Sequence, residues 1–161
     1  MSMGGTTMIR KIAALAPLAA LAMTPVSAAD VGAAHIQPGM WRSTETVLEM
    51  TSALLSPEQV AARKAKPMVF ESCIASDDLR VRLLGSDKLG LCQGRAEVSN
   101  GRIDIDRQCR TGLGKTARRL QGTYGPTRYE YVQESELAAP QGTSRTKSRI
   151  VVERIGDCRG G

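Results

Sequence analysis

Residues 92–109 read CQGRAEVSNGRIDIDRQC. Asn100-Gly101 sits between two arms that alternate apolar and polar residues, the strongest short-range signal for a hairpin closed by a two-residue type I′ turn. That turn makes Ser99 and Arg102 the first pair, and the rest follow: Val98 with Ile103, Ala96 with Ile105, Cys92 with Cys109. Pairs in an antiparallel ladder alternate between hydrogen-bonded and non-hydrogen-bonded. Counting outward places the two cysteines on a non-hydrogen-bonded pair, where side chains stand closest and the Cα atoms lie within disulfide range. A Cys92–Cys109 bridge is therefore expected over two buried free thiols. Cys92, Gly94, Ala96, Val98, Ile103, Ile105 and Cys109 share the core face, with Arg107 as its polar exception. Gln93, Arg95, Glu97, Asp104, Asp106 and Gln108 share the solvent face, with Arg95 opposite Asp106.

Such a bridge needs an oxidising compartment, and the N-terminus supplies a route to one. Arg10-Lys11 precedes the apolar stretch Ile12 to Met23, Thr24-Pro25 breaks it, and Val26-Ser27-Ala28-Ala29 offers small residues for cleavage. Residues 1–29 read as a secretory signal peptide, cut after Ala28 or Ala29, rather than a retained anchor; the apolar stretch is too short to span a membrane. No later stretch approaches the length of a transmembrane helix, and no cysteine follows the cleavage point to take a lipid. A periplasmic location is expected. Residues 30–37, Asp30 to Gln37, carry no pattern and read as a flexible lead-in. Residues 38–161 then form a single β-rich domain.

Within that domain, strands are predicted at Met40 to Met50, Met68 to Ile74, the two hairpin arms, Thr116 to Tyr124, Thr127 to Leu137 and Thr143 to Ile155. Ser56-Pro57-Glu58-Gln59 starts a helix as a capping box with proline at its first position, and the helix ends before Pro67. Ser76-Asp77-Asp78 caps a second, short helix that runs to about Leu84 and stops at Gly85. The fold class is mainly β: one antiparallel, strongly curved or barrel-like sheet of about seven strands, one or two short helices and two disulfides. Four cysteines allow three connectivities, and Cys73 with Cys158 follows only by elimination.

A tight turn at Gly125-Pro126 would pair Tyr124 with Thr127, Leu120 with Tyr131 and Gly122 with Tyr129, an aromatic ring covering a strand glycine. Pairing Tyr131 with Ile150 and Tyr129 with Val152 extends the same face. Leu120, Tyr124, Tyr129, Tyr131, Ile150 and Val152 thus form either the lining of an apolar ligand site or plain core, and core is the simpler reading. The same register sets Glu136 against Arg145 and Glu134 against Lys147. The basic stripe Arg145, Lys147, Arg149 then reads as a neutralised, solvated face. A formal net charge of +6 therefore does not point to nucleic acid, and five aromatic side chains give little for bases to stack on.

Chemistry-bearing patterns are sparse. The one histidine, His35, lies in the lead-in, which leaves no two-histidine metal site and argues against a histidine-based nucleophile. Gly112-Leu113-Gly114-Lys115-Thr116 invites a phosphate-loop reading, but the required first glycine falls on Cys109. Asp77-Asp78 is explained by helix capping, and Asp104 with Asp106 lacks the loop and further carboxylates of a calcium site. No metal, no cofactor, no catalytic residue and no enzymatic activity are expected.

Pro38-Gly39-Met40-Trp41 at the first strand, Cys73, the Cys92/Cys109 hairpin, Gly122-Thr123-Tyr124 and the ending Glu153-Arg154-Ile155-Gly156-Asp157-Cys158 occur together. In these the chain resembles the small exported bacterial proteins of domain-of-unknown-function family three-six-one-seven, from Pro38 to Cys158. It departs in having Arg42 after the tryptophan, where glutamate is common, and Val152-Glu153 before the terminal arginine. The resemblance implies a periplasmic, disulfide-bonded β-fold and carries over no catalytic residue. The functional expectation is a non-enzymatic periplasmic binding or envelope-associated protein, its partner a small apolar ligand or an envelope protein. An inhibitor or partner of an envelope enzyme is the alternative, and a histidine-free hydrolase a weaker one.

Overall fold

A computed structural model of the protein describes residues 34–85 and 91–158. The signal peptide expected over residues 1–29, and the start of the lead-in, lie outside the described residues. Seven strands, β1 (Gly39–Ser52), β2 (Met68–Ile74), β3 (Cys92–Ser99), β4 (Arg102–Thr111), β5 (Gly114–Tyr124), β6 (Arg128–Ala139) and β7 (Gly142–Gly156), form one sheet in the order β2-β1-β7-β6-β5-β4-β3. Every pairing is antiparallel. Helix α1 (Pro57–Ala65) connects β1 to β2, and α2 (Leu79–Leu84) follows β2.

The Asn100-Gly101 turn forms as its sequence dictates. Both residues adopt positive φ (50° and 75°), the conformation a type I′ turn demands and asparagine and glycine tolerate. Cys92 faces Cys109 and Arg95 faces Asp106, although the Arg95 guanidinium bonds Asp104, at 2.8 Å. Both disulfides are present, Cys92–Cys109 and Cys73–Cys158. The Ser56 capping box is complete: Ser56 Oγ accepts from the Gln59 amide, and the Gln59 side chain accepts from the Ser56 amide.

The β5–β6 register corrects the sequence reading. Tyr124 pairs with Tyr129, Gly122 with Tyr131 and Leu120 with Gln133, two residues away from the expected alignment. The loop is Pro126-Thr127, closed by Gly125 N–H donating to Arg128 O at 2.7 Å. Proline is preset for the first central position of a turn and disfavoured at the second, so it opens the loop instead of ending it. A shift of two keeps every side chain on its original face. Tyr131, not Tyr129, covers Gly122, where an added Cβ would meet Glu130 O at 2.0 Å.

The sheet is open, not a closed barrel: β2 and β3 are free edges. It is nonetheless curled. Laid flat, seven strands span roughly 29 Å from edge to edge, whereas a six-residue helix is about 9 Å long. Yet Arg82 of α2 donates to Ser72 of β2 and to Tyr129 of β6, while Leu83 O and Leu84 O accept from Arg118 of β5 and Arg107 of β4. Leu79 and Leu83 also share one buried cluster with Val98 of β3, Ile105, Leu120, Trp41 and Val152. The strands wrap around α2 so that both edges reach it.

Ala34 to Gln37, expected as flexible lead-in, are packed in the structure. Ala34 and Ile36 belong to the core. Ile36 N–H donates to Asp77 O, Leu79 N–H to Ala34 O and Gln37 N–H to Pro126 O, all at 2.8–2.9 Å. Val31, Ala33, Ala34 and Ile36 are spread through the lead-in without a sustained period, so pattern alone did not single out the two that are buried.

Candidate functional site

The antiparallel registers stack the concave face into rows that cross β4, β5, β6 and β7. One row runs Ile103, Gly122, Tyr131, Ile150, and the next Ile105, Leu120, Gln133, Ser148. Then come Arg107, Arg118, Ser135, Thr146, and last Cys109, Thr116, Leu137, Ser144. The alternation never breaks, but its content changes: aliphatic and aromatic residues give way to arginines and hydroxyls halfway along. Helix α2 covers the apolar half.

The six residues expected as possible ligand lining fall in that covered half. Leu120, Tyr129, Ile150 and Val152 are buried, and Tyr124 and Tyr131 pack against them. Tyr129 lies 5.6 Å from Trp41 and stacks on Tyr131 at 6.4 Å, centroid to centroid. Burial pushes both tyrosine hydroxyls up, opposed by the charge of Arg82 at Tyr129 and of Arg118, with Arg82, at Tyr131. The structure brings all six together, and none of them borders the cleft described next.

That cleft, about 850 Å³, opens over the polar half of the face, where α2 ends. Leu83, Leu84, Leu91, Ile105 and Leu137 supply apolar walls; Arg107, Arg118, Thr116, Ser135, Ser144 and Thr146 supply polar ones; the Cys92–Cys109 bridge lies along one side. Its size is that of a small-molecule site. Arg118 donates from Nε and Nη2 to Gln133 Oε1 (3.0 and 2.7 Å) and from Nη1 to Leu83 O (3.4 Å), so all three bonds go to neutral acceptors. One row towards the apolar half, the Ser148 hydroxyl is buried with no hydrogen-bond partner among the described residues.

The convex face is different. Lys147 meets Glu134 at 3.0 Å and Arg145 meets Glu136 at 2.7 Å, as their register predicted, and Arg149, whose register partner is Val132, reaches Glu130 at 3.2 Å. Arg128, then Arg149, hold the Glu130 carboxyl below the usual carboxylate range, and Glu134 pushes the Lys147 ammonium up. His35 is exposed and bonds Asp77 at 2.9 Å. Among the described residues no three His, Cys, Asp or Glu side chains come together as metal ligands, and no helix is long and apolar enough to cross a membrane.

The sequence reading flagged Arg107 as an exception on its strand's core face but missed Arg118 and the hydroxyls beside it. The signal was present as the period-two series Tyr124, Gly122, Leu120, Arg118, Thr116 on β5 and Val152, Ile150, Ser148, Thr146, Ser144 on β7. β7 turns polar at Ser148, in the row of Leu120, and β5 one row later at Arg118.

No curated protein and no solved structure matches the chain. The model of one family, described as a protein of unknown function (DUF3617), matches residues 36–158, from the core residue Ile36 to the disulfide residue Cys158. Spanning the whole described sheet, that match makes the chain a member of the DUF3617 family.

Proposed function

We propose that the protein is an exported, non-enzymatic binding protein whose ligand occupies the cleft at the end of α2. One observation carries the reading: the face that is filled core under α2 becomes, beyond it, a cleft of about 850 Å³ with walls both apolar and polar. The signal-peptide pattern of the first 29 residues and the two disulfides support a periplasmic setting. Among the described residues, the one carboxylate bordering the cleft is Glu136, and Arg145 holds it. This favours binding over hydrolysis, which needs a converging acid pair.

The test is a native mass spectrum of protein purified from the cell envelope, followed by a denatured spectrum without reductant. A native mass heavier by a discrete small molecule, released on denaturation, is the expected result. A bare chain in both spectra, with no uptake of added ligand, would overturn the reading. The denatured mass also reports the cleavage site and both bridges.

A second reading, a protein partner in the envelope, is favoured by the β2 edge. Val69 and Phe70 are 55% and 59% exposed there, and no proline or lysine interrupts Met68–Ile74. Such an edge is a template for an added strand.

A further inference from the structure

We infer that the cleft selects an amphipathic anion: an apolar chain laid along Leu83, Leu84 and Leu137, its carboxylate or phosphate head on the Arg118 guanidinium. The inference rests on the binding reading above and adds the ligand's chemistry.

Arg118 is set apart by its place in the cleft and by its partners. On the convex face, Arg145, Lys147, Arg149, Arg128, Arg95 and Arg42 have carboxylate partners, while Arg102, Arg110, Lys115 and Arg119 make no ion pair among the described residues but, apart from Arg110 beside Leu91, do not border the cleft. On the concave face Arg118 has Gln133 Oε1 and a backbone carbonyl, and no ion pair among the described residues. A guanidinium carries five N–H donors in a planar fork. Three are used here, one each on Nε, Nη1 and Nη2, which leaves two directed donors. Gln133 Oε1 takes two bonds on the edge of the fork that matches a carboxylate or phosphate, and a neutral amide is a weaker occupant of that edge than an anion.

The surroundings suit an anion with a tail. Ser135 and Thr146 share Arg118's row and add hydroxyl donors beside it. Leu83 and Leu84 lie at the end of α2, where Leu83 O already touches Arg118 Nη1, and Leu137 stands on β6 one row beyond Arg118. Head and tail sites are therefore adjacent. Arg118 itself is exposed, so the head contact is partly screened by solvent and the selectivity rests on the geometry of the fork beside the leucine walls.

The experiment is isothermal titration calorimetry on the full exported chain, both disulfides intact, with four single-chain probes: dodecanoate, dodecyl phosphate and dodecyltrimethylammonium below their micelle concentrations, and dodecanol below its solubility limit. Charge-assisted hydrogen bonds predict that at least one of the two anions binds about tenfold or more tighter than dodecanol. The Arg118→Gln variant should bring that anion down to the affinity of dodecanol and leave dodecanol unchanged. Because Arg118 also holds Leu83 O, the wild-type comparison of heads stands as a test if the variant fails to fold. Dodecanol or the cation binding as tightly as both anions would overturn the anion inference while leaving a binding cleft. If none of the four probes binds, the inference and the binding reading of this cleft fall together.

Discussion

Asp78 shows how one side chain fixes the helix on which the cleft depends. It is the N-cap of α2, and its Oδ1 accepts from the Arg80 amide at 2.9 Å and from the Arg80 guanidinium. Burial alone would push its carboxyl up; donation from the Arg80 side chain and backbone outweighs that and holds it below the usual range. A carboxyl depressed in the folded state contributes stability that is present above its unfolded pKa, about 3.9, and lost as pH falls through the lower folded value. Asp78→Ala should cost about 1 kcal/mol at pH 7, as lost N-caps do. Asp78→Asn, which can still cap, should cost less, and its gap to the wild type should close as pH drops below about 4. Urea denaturation at pH 7 and at pH 3 measures both effects. The cap was legible because its chemistry is local: Asp78 precedes an apolar run by one residue. Ala34 and Ile36 were not legible, because what buries them is the far end of β2 and the start of α2.

At the scale of elements, the two helices behave differently. Helix α1 has no buried residue. With only Val60 half-buried, its helicity depends chiefly on the Ser56–Gln59 box and on Pro57 at its first turn, since short helices are marginal without tertiary packing. Ser56→Ala with Gln59→Ala should therefore unwind α1 alone. Hydrogen exchange of residues 57–65 should rise to coil rates while the melting temperature of the sheet moves by no more than about 2 °C. A loss of cooperativity through the whole domain would show that α1 supports the sheet. The hairpins were readable in proportion to their turn residues. Asn-Gly admits one register, and β3–β4 followed it residue for residue. Gly125-Pro126 was misread by taking glycine as the first loop residue, and proline's fixed φ decided otherwise. The cleft was the hardest part to read. It is built from rows across four strands, and a row exists only once all the registers are known.

At the scale of the molecule, the architecture is a curled sheet with a short helix in its hollow and a covalent bond near each edge. Cys73 lies on edge strand β2 and reaches across β1 to Cys158, just beyond β7; Cys92 lies on edge strand β3 and joins β4. The sequence separations are 85 and 17 residues. Loop-closure entropy assigns the longer bridge the larger effect, about 4–5 kcal/mol against about 3 kcal/mol. Paired serine variants, Cys73→Ser with Cys158→Ser and Cys92→Ser with Cys109→Ser, should lower stability in that order in urea titrations. The reverse order would show that local strain or residual structure in the unfolded chain outweighs chain entropy.

A closed barrel has no free margin from which to come apart, because each strand is zipped on both sides. This sheet has two such margins, and a sulfur bridge riveted beside each of them. Unzipping from the rim inward, the easy route for an open sheet, is blocked at one point on either side for as long as the surroundings keep those rivets oxidised. The protein's resistance to peeling is thus tied to the redox state of its compartment: in a reducing cytoplasm the same chain would have the same rows and the same hollow, but two loose hems.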